Sequence, residues 1–276
     1  MPELPEVETV RRTLEQLVIG KTVAGVEIRW PNIIKKPEPT DQFTDALIGE
    51  TIRGVQRRGK FLIFELDRYN LVSHLRMEGK YRVHDQGEEE EPHTHVIFKF
   101  SDGTELRYRD VRKFGTMHLF LSGEELGSLP LSQLGPEPFS EEFTVEYMQE
   151  KLMKTQRPIK AVLLDQTVFV GLGNIYVDEA LFRSGIHPLK KANSLHPEEL
   201  VRLHKEVVAT LLEAVEKGGS TIRSYLNGQG QIGTFQEALF VYGRTGEPCK
   251  ICGQPIEKMK AAGRGTHVCP SCQPLT

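Results

Sequence analysis

No cysteine occurs before Cys249 in this 276-residue chain, no internal repeat stands out, and no run of about 18 apolar residues is present. The first absence excludes a small disulfide-stapled scaffold. The last leaves no candidate membrane span, and with no basic-then-apolar leader the expectation is a cytosolic protein. An excess of positive charge is missing too: 35 Lys and Arg against 38 Asp and Glu give −3, a balance that by itself argues against nucleic acid as partner. What remains is a chain long enough for two domains, with 38 % hydrophobic residues to fill their cores.

The distribution of charge says more than its sum. Arg53, Arg57, Arg58 and Lys60 cluster without an intervening acid, and Arg107, Arg109, Arg112 and Lys113 form a second group. Acid gathers at Asp85 and Glu88 to Glu91, which reads as a solvated loop. His93 and His95 alternate beside it, but no second ligand cluster at defined spacing accompanies them, which argues against a metal there.

Val7, Val10, Leu14, Leu17 and Val18 recur at helical spacing, with Gly20 suited to end the helix. Residues 22–121 then read as short strands: Val26, Ile28 and Trp30 alternate, Phe61 to Leu66 is an apolar run, and Val96, Phe98, Phe100 and Met117, Leu119, Leu121 alternate again. Strands in sequence without long helices between them predict an antiparallel sandwich. The stretch from Leu129 to Ser140, with Pro130, Gly135, Pro136 and Pro138, breaks both periods and predicts a connection between domains. Beyond it, helices are expected over 141–154, 158–165, 174–184 and 197–217, and the glycine-rich turn from Gly171 to Asn174 could offer backbone amides to a phosphate. Residues 218–235, rich in glycine and poor in apolar anchors, predict a mobile loop.

The four cysteines form Cys249-x2-Cys252 and Cys269-x2-Cys272 with sixteen residues between the pairs. Each pair sets two thiolates on one tight turn, so two turns complete a closed tetrahedral zinc shell; disulfides are the alternative, disfavoured in the cytosol. Residues 241–276 carry five Lys and Arg against two Glu, and four thiolates with one Zn²⁺ reduce that +3 to +1. Arg264, flanked by Gly263 and Gly265, is placed to push a guanidinium toward a phosphate, although an exposed arginine more often serves solubility.

The chain starts Met1-Pro2-Glu3-Leu4-Pro5-Glu6. Removal of Met1 ahead of a small residue leaves Pro2 as a secondary amine, and an α-amino group with a reference pKa of roughly 7.7–8.0 is partly neutral without burial. Such an amine can attack a sugar's anomeric carbon, and the resulting iminium acidifies the neighbouring C–H. Glu3 and Glu6 stand beside it as proton carriers. The plainer reading, a proline and acids that start a helix, holds as well.

Pro2 to Glu8, Arg58-Gly59-Lys60, His74 to Gly79, Arg109 to Gly115, Gly173 to Glu179 and the terminal four-cysteine module, taken together and in this order, resemble bacterial formamidopyrimidine-DNA glycosylases end to end. Leu4-Pro5-Glu6-Val7 is similar to the oxidised-purine branch rather than to the related oxidised-pyrimidine enzymes. The resemblance implies an α+β protein: an N-terminal antiparallel β-sandwich with a flanking helix over 1–134, a helix-two-turn-helix domain over 135–235 with a lesion-covering loop at 218–235, and a zinc finger over 236–276. It implies a monomer that grips double-stranded DNA in the cleft between domains, with one structural Zn²⁺ on Cys249, Cys252, Cys269 and Cys272. The implied activity is excision of 8-oxoguanine and formamidopyrimidines, followed by β,δ-elimination.

The implied roles are Pro2 as nucleophile, Glu3 as proton donor and acceptor, and Lys60 as a positive contact to lesion and phosphate. His74, Arg112, Asn174 and Arg264 would hold the backbone. Met77, Arg112 and Phe114 would fill the gap left by the flipped base, since unstacking must be offset by something that inserts. For Met77 and Phe114 the competing reading is a place in the core. Glu78, Ser220, Thr221 and Tyr225 would contact the extruded base. The segment Asn227 to Gly233 departs from the family's pattern by an extra glycine and a neutral Gln. Rival readings are an oxidised-pyrimidine glycosylase of the same superfamily and a non-enzymatic zinc-dependent DNA-binding protein.

Overall fold

The computed structural model describes residues 1–220 and 233–275. Contacts divide the chain into two compact units, residues 1–133 with 218–234, and residues 134–217 with 235–276.

The first unit opens with helix α1 (Leu4–Val18), whose Val7, Val10, Leu14 and Val18 are buried on one stripe, as the spacing predicts. The strands that follow are β1 (Val23–Ile28), β2 (Ile34–Lys36), β3 (Gly54–Arg58), β4 (Phe61–Glu65), β5 (Tyr69–His74), β6 (Lys80–Asp85), β7 (Thr94–Phe100), β8 (Thr104–Arg109) and β9 (Thr116–Leu121). They form two sheets, ordered β1-β7-β8-β6 and β2-β9-β5-β4-β3, with every pairing antiparallel except β2 with β9. Val55, Leu62, Phe64 and Leu71 of one sheet share a core with Val96, Phe98, Leu106 and Tyr108 of the other and with α1. This is the expected sandwich.

Two details differ from the sequence reading. A helix α2 (Thr40–Leu47) interrupts the strands; Phe43 and Leu47, one turn apart, are buried, but Pro37 and Pro39 ahead of it read as loop. Leu121 continues the alternation of Met117 and Leu119 yet is 52 % exposed, because β9 ends there and runs out past the core.

In the second unit, α3 (Val145–Met153), α4 (Ile159–Leu163), α5 (Asn174–Ser184) and α6 (Pro197–Glu216) fall on the four predicted segments. Thr144 caps α3, its hydroxyl accepting the Tyr147 N–H at 3.0 Å. Leu200, Leu203, Val207 and Leu211 of α6 pack with Tyr176, Val177, Ala180 and Leu181 of α5 in one core. The unit ends in the hairpin β10 (Glu257–Ala261) and β11 (Arg264–Val268), turned by Ala262 and Gly263, both at positive φ. Among the described residues no helix is long and apolar enough to cross a membrane.

Candidate functional site

Pro2, Glu3 and Glu6 are all buried at the start of α1, although two of them are carboxylic acids. A reciprocal cap offsets the desolvation: the Glu3 side chain accepts the Glu6 backbone N–H, and Glu6 Oε2 accepts the Glu3 N–H at 2.8 Å. The other oxygen, Glu6 Oε1, accepts the backbone N–H of Ser220 at 2.8 Å. Glu6 thereby fastens the chain's start to Ser220, which is 5 % exposed. Gly219 permits that approach: it has a φ of 77°, and a Cβ there would lie 2.7 Å from the Glu6 carboxylate. Thr221 and Tyr225, the remaining expected base contacts on this segment, lie outside the described residues, as do most of the divergent segment Asn227 to Gly233 and most of the loop expected at 218–235.

Lys60 is buried in the turn between β3 and β4. Gly59 takes the positive φ of 58° that this turn needs, and Arg57 ties the turn to α1 by donating to the Gly59 carbonyl at 2.8 Å and to Glu8 at 3.1 Å. The register sets Phe61 opposite His74, and their rings meet edge to face at 4.5 Å. Burial, then the positive charges of Arg76 and Lys60, pushes the His74 imidazole down to about 3, so the ring is neutral near pH 7. Its Nδ1 accepts the Arg76 N–H at 2.9 Å, which leaves the proton on Nε2 as a neutral donor. Because its folded pKa is depressed, this histidine adds stability that is present above about pH 6.5 and is lost as pH falls toward about 3.

Two short loops carry the expected wedge. Leu75–Gly79 presents Arg76, Met77 and Glu78, and Asp110–Gly115 presents Arg112 and Phe114. Both pack on one buried group, the Tyr108 hydroxyl: a Cβ at Gly79 or Gly115 would collide with it. Asp110, fully buried, organises the second loop, accepting the Arg112 N–H at 3.1 Å, the Gly115 N–H at 2.8 Å and the Tyr108 hydroxyl at 3.3 Å. Phe114 is 52 % exposed with the Arg112 guanidinium 4.7 Å from its ring, and Met77 is half-buried and outside the core. Neither is a core residue. His95, weighed above as a metal ligand, contacts the Asp110 carbonyl through Nε2 at 2.9 Å and so belongs to this scaffold.

In the second unit, Asn174 begins α5 and donates to the Gly265 carbonyl at 2.9 Å, which brings it beside the exposed Arg264 at the hairpin turn. Two buried acids of α5 hold the surrounding chain. Asp178 accepts the Lys160 ammonium at 2.6 Å and the His267 N–H at 2.9 Å. Glu179 accepts the N–H groups of Phe240, Val241 and Tyr242, each at 2.9 Å. Burial raises the Glu179 carboxyl above its usual range, against those three donors, which lower it.

The four cysteine sulfurs lie within 4.8 Å of one another, with Cys249 to Cys272 at 3.9 Å and Cys252 to Cys269 at 3.4 Å. Disulfide sulfurs sit about 2.05 Å apart, whereas a tetrahedron with Zn–S bonds of about 2.3 Å requires sulfurs about 3.8 Å apart. The set fits one structural zinc ion. Among the described residues it is the one cluster of three or more candidate metal ligands.

The sequence reading missed the supports: Tyr108, Asp110, Lys160, Asp178 and the link from Glu6 to Ser220. Asp110 and Asp178 lie inside segments quoted above; Asp178 reaches Lys160 and the His267 N–H, 18 and 89 residues away, which only the fold brings near, whereas the Asp110 carboxylate bonds stay within five residues of it in a loop that no periodicity marks. The basic clusters were also overcounted. Arg53 pairs with Asp67, Arg57 with Glu8, Arg107 with Glu105 and Arg109 with Glu91.

Three family models match the chain: the formamidopyrimidine-DNA glycosylase N-terminal domain at residues 1–117, the H2TH domain of the same enzymes at 134–225, and a zinc finger found in FPG and IleRS at 246–275. Among curated relatives, the formamidopyrimidine-DNA glycosylase of Bacillus licheniformis is 64 % identical and that of Bacillus subtilis 63 %, each over 99 % of both chains. Two solved Lactococcus lactis Fpg structures, one with abasic-site DNA and one with DNA containing N7-benzyl-Fapy-dG, superpose with TM-scores of 0.93 at 46 % identity, covering 99 % of this chain and 100 % of theirs. A sandwich with a buried proline–glutamate start, a helical unit and a four-cysteine hairpin define a zinc-finger-bearing DNA repair glycosylase. The chain belongs to the formamidopyrimidine-DNA glycosylase family.

Proposed function

We propose that this protein excises 8-oxoguanine and formamidopyrimidines from duplex DNA and then cleaves the strand at the abasic site. The observation that carries the reading is the buried Pro2–Glu3 pair, held at the start of α1 by the Glu6 cap. Once Met1 is removed, the Pro2 nitrogen attacks C1′ of the damaged nucleotide, and the glycosidic electron pair leaves with the base, which takes up a proton. Glu3 protonates the ring oxygen as the sugar opens to the iminium. It then removes a C2′ proton, so that the 3′-phosphate leaves; loss of a C4′ proton expels the 5′-phosphate in turn.

The remaining side chains serve binding. Lys60 and the neutral Nε2–H of His74 face the phosphates of the damaged nucleotide, and Asn174 with Arg264 forms a second phosphate grip. Met77, Arg112 and Phe114 fill the opened stack, while Glu78 and Ser220, with Thr221 and Tyr225, meet the extruded base. The zinc fixes the two cysteine turns that bracket the hairpin of Arg264 and takes no part in the chemistry. Its substrate, chromosomal DNA, makes the cytoplasm its site of action, at the nucleoid.

Borohydride trapping on duplex DNA with 8-oxoguanine opposite cytosine tests the reading. A covalent complex is expected, with the sugar remnant on Pro2 by peptide mass mapping, and extra residues ahead of Pro2 abolish it. A remnant on Lys60 would overturn the assignment, and DNA binding without trapping would leave a DNA-binding protein. Met77→Ala should slow excision of a paired lesion more than of one already unstacked by a mismatch, since flipping costs a few kcal/mol, least where pairing is weak. Because Met77 lies outside the core, its loss should fall well short of the 2–5 kcal/mol of a core truncation. Single-turnover rates on the two substrates beside a melting curve check this; equal slowing with a large stability loss discards the wedge.

A further inference from the structure

Tyr108 has no part in the proposed chemistry, yet it lies beneath both loops that carry the wedge. Its side chain is completely buried on β8, which runs between β7 and β6, with Val96 and Tyr81 as its register partners on the two sides. The rings of Tyr108 and Tyr81 pack at 4.9 Å between centroids, and the Tyr81 hydroxyl is hydrogen-bonded to that of Ser73 at 2.6 Å. Neighbours on both sides therefore fix the Tyr108 ring. Burial, then the Asp110 carboxylate, raises its phenol above the usual range, so the group stays a neutral hydroxyl and donates to Asp110 Oδ2 at 3.3 Å.

The hydroxyl ends where the two loops come together. A Cβ at Gly79 in the first loop, or at Gly115 in the second, would collide with it, and neither glycine takes a positive φ. Close approach to Tyr108, and not turn geometry, is what calls for glycine at both places. The loops are alike in a second respect. Arg76 and Lys113, the residues directly before Met77 and Phe114, have φ of 53° and 59°, a left-handed conformation that residues with a Cβ rarely adopt. Such a backbone persists only where its surroundings impose it. In the first loop His74 Nδ1 accepts the Arg76 N–H and the Leu75 carbonyl accepts the Gly79 N–H, each at 2.9 Å. In the second, the Asp110 carboxylate accepts the Arg112 and Gly115 N–H groups, and its carbonyl accepts that of Lys113 at 3.3 Å. Each wedge residue thus stands on a strained turn of its own, and the Tyr108 hydroxyl touches both turns.

We infer that Tyr108 is a positioning residue that makes the two loops one unit, so that Met77 on the first and Arg112 with Phe114 on the second enter the duplex together. The inference rests on the proposed function, which supplies the opened duplex. Two separate loops would each lose conformational freedom at the moment the base leaves the stack. Loops already fixed on one buried hydroxyl are ordered beforehand, and that preorganisation favours insertion. Its effect is largest on an intact pair, where flipping is hardest.

The test is Tyr108→Phe in the full chain, alone and combined with Met77→Ala, with Phe114→Ala and with both. The change removes one oxygen and keeps the ring. Single-turnover excision of 8-oxoguanine paired with cytosine should slow about two- to tenfold, the scale of one lost buried hydrogen bond, while excision of a lesion already unstacked by a mismatch should stay within about twofold. Each wedge truncation should absorb part of that effect and the two together nearly all of it, because Tyr108 acts through both loops. Equal slowing on the two substrates, or an undiminished effect in Met77→Ala/Phe114→Ala, is what a packing role gives and overturns the inference. An effect abolished by either truncation alone shows a hydroxyl that serves one loop and overturns it too. Native-state hydrogen exchange of the wild type without DNA is the second arm, and it decides the matter if Tyr108→Phe does not fold. The Gly79 and Gly115 N–H groups are each bonded within their own loop, so loops that move as one unit should protect them to within about threefold of each other. A far larger difference overturns the inference. Wild type that neither excises nor traps counts against the proposed function and leaves the exchange comparison standing.

Discussion

Glu3→Gln is expected to cut single-turnover excision of 8-oxoguanine by about 10²- to 10⁴-fold, the range typical of a lost general acid–base group. The side chain keeps its size, and its carbonyl oxygen can still accept the Glu6 N–H, so the cap on α1 survives. Binding to lesion DNA should change by no more than about threefold, since what is lost carries a proton and grips no phosphate. Glu6→Gln makes the contrast. Both Glu6 oxygens accept backbone N–H groups, from Glu3 and from Ser220, and an amide has only one oxygen to offer. Its NH₂ must face one of those donors, so Glu6→Gln should lower both melting temperature and activity where Glu3→Gln lowers activity alone. Glu3→Gln that retains excision within a few-fold of wild type would move the proton-carrying role to another acid.

Local signals made much of this molecule legible in the sequence. The zinc shell follows from spacing alone, because two Cys-x2-Cys turns have few other uses. Helix α1 follows from its apolar stripe, and the buried Phe61–Leu66 run from its strand composition. The interest of Pro2 and Glu3 follows from the chemistry of an N-terminal secondary amine, although their burial and their cap do not. Illegible were features whose partners lie far along the chain. Charge counting by cluster leaves out the partner of Arg57, because Glu8 lies 49 residues away, whereas Glu105, two residues from Arg107, stands in plain view. Helix α2 was hidden by the two prolines before it. The Tyr108 hydroxyl under both wedge loops has no local signature, and the glycines that make room for it, Gly79 and Gly115, read as ordinary turn residues.

The same distinction makes the Lys160–Asp178 pair the largest stability effect expected here. Both side chains are completely buried, and neither is an expected contact to DNA. Lys160→Met leaves the Asp178 carboxylate beside His267, whose N–H donates to it at 2.9 Å and whose Nδ1 lies 3.5 Å away, and Asp178→Asn leaves the ammonium beside a neutral amide, the Thr266 hydroxyl at 2.8 Å and the Gly265 carbonyl at 3.5 Å. Removing one member of a buried pair costs about 3–5 kcal/mol, because the other charge stays desolvated. Since Asn174 meets the hairpin at Gly265 and Asp178 meets it at His267, each single change should also weaken DNA binding through Arg264. The double variant Lys160→Met/Asp178→Asn should be more stable than either single: the Asn oxygen still accepts the His267 N–H, its amide can donate to Thr266, and no buried charge is left. Denaturant melts of wild type, Lys160→Met, Asp178→Asn and the double variant form a double-mutant cycle, in which a coupling above about 1 kcal/mol is expected. Additive losses would show that the pair contributes as two separate packing residues, and that the hairpin is held by the Asn174 and Glu179 contacts instead.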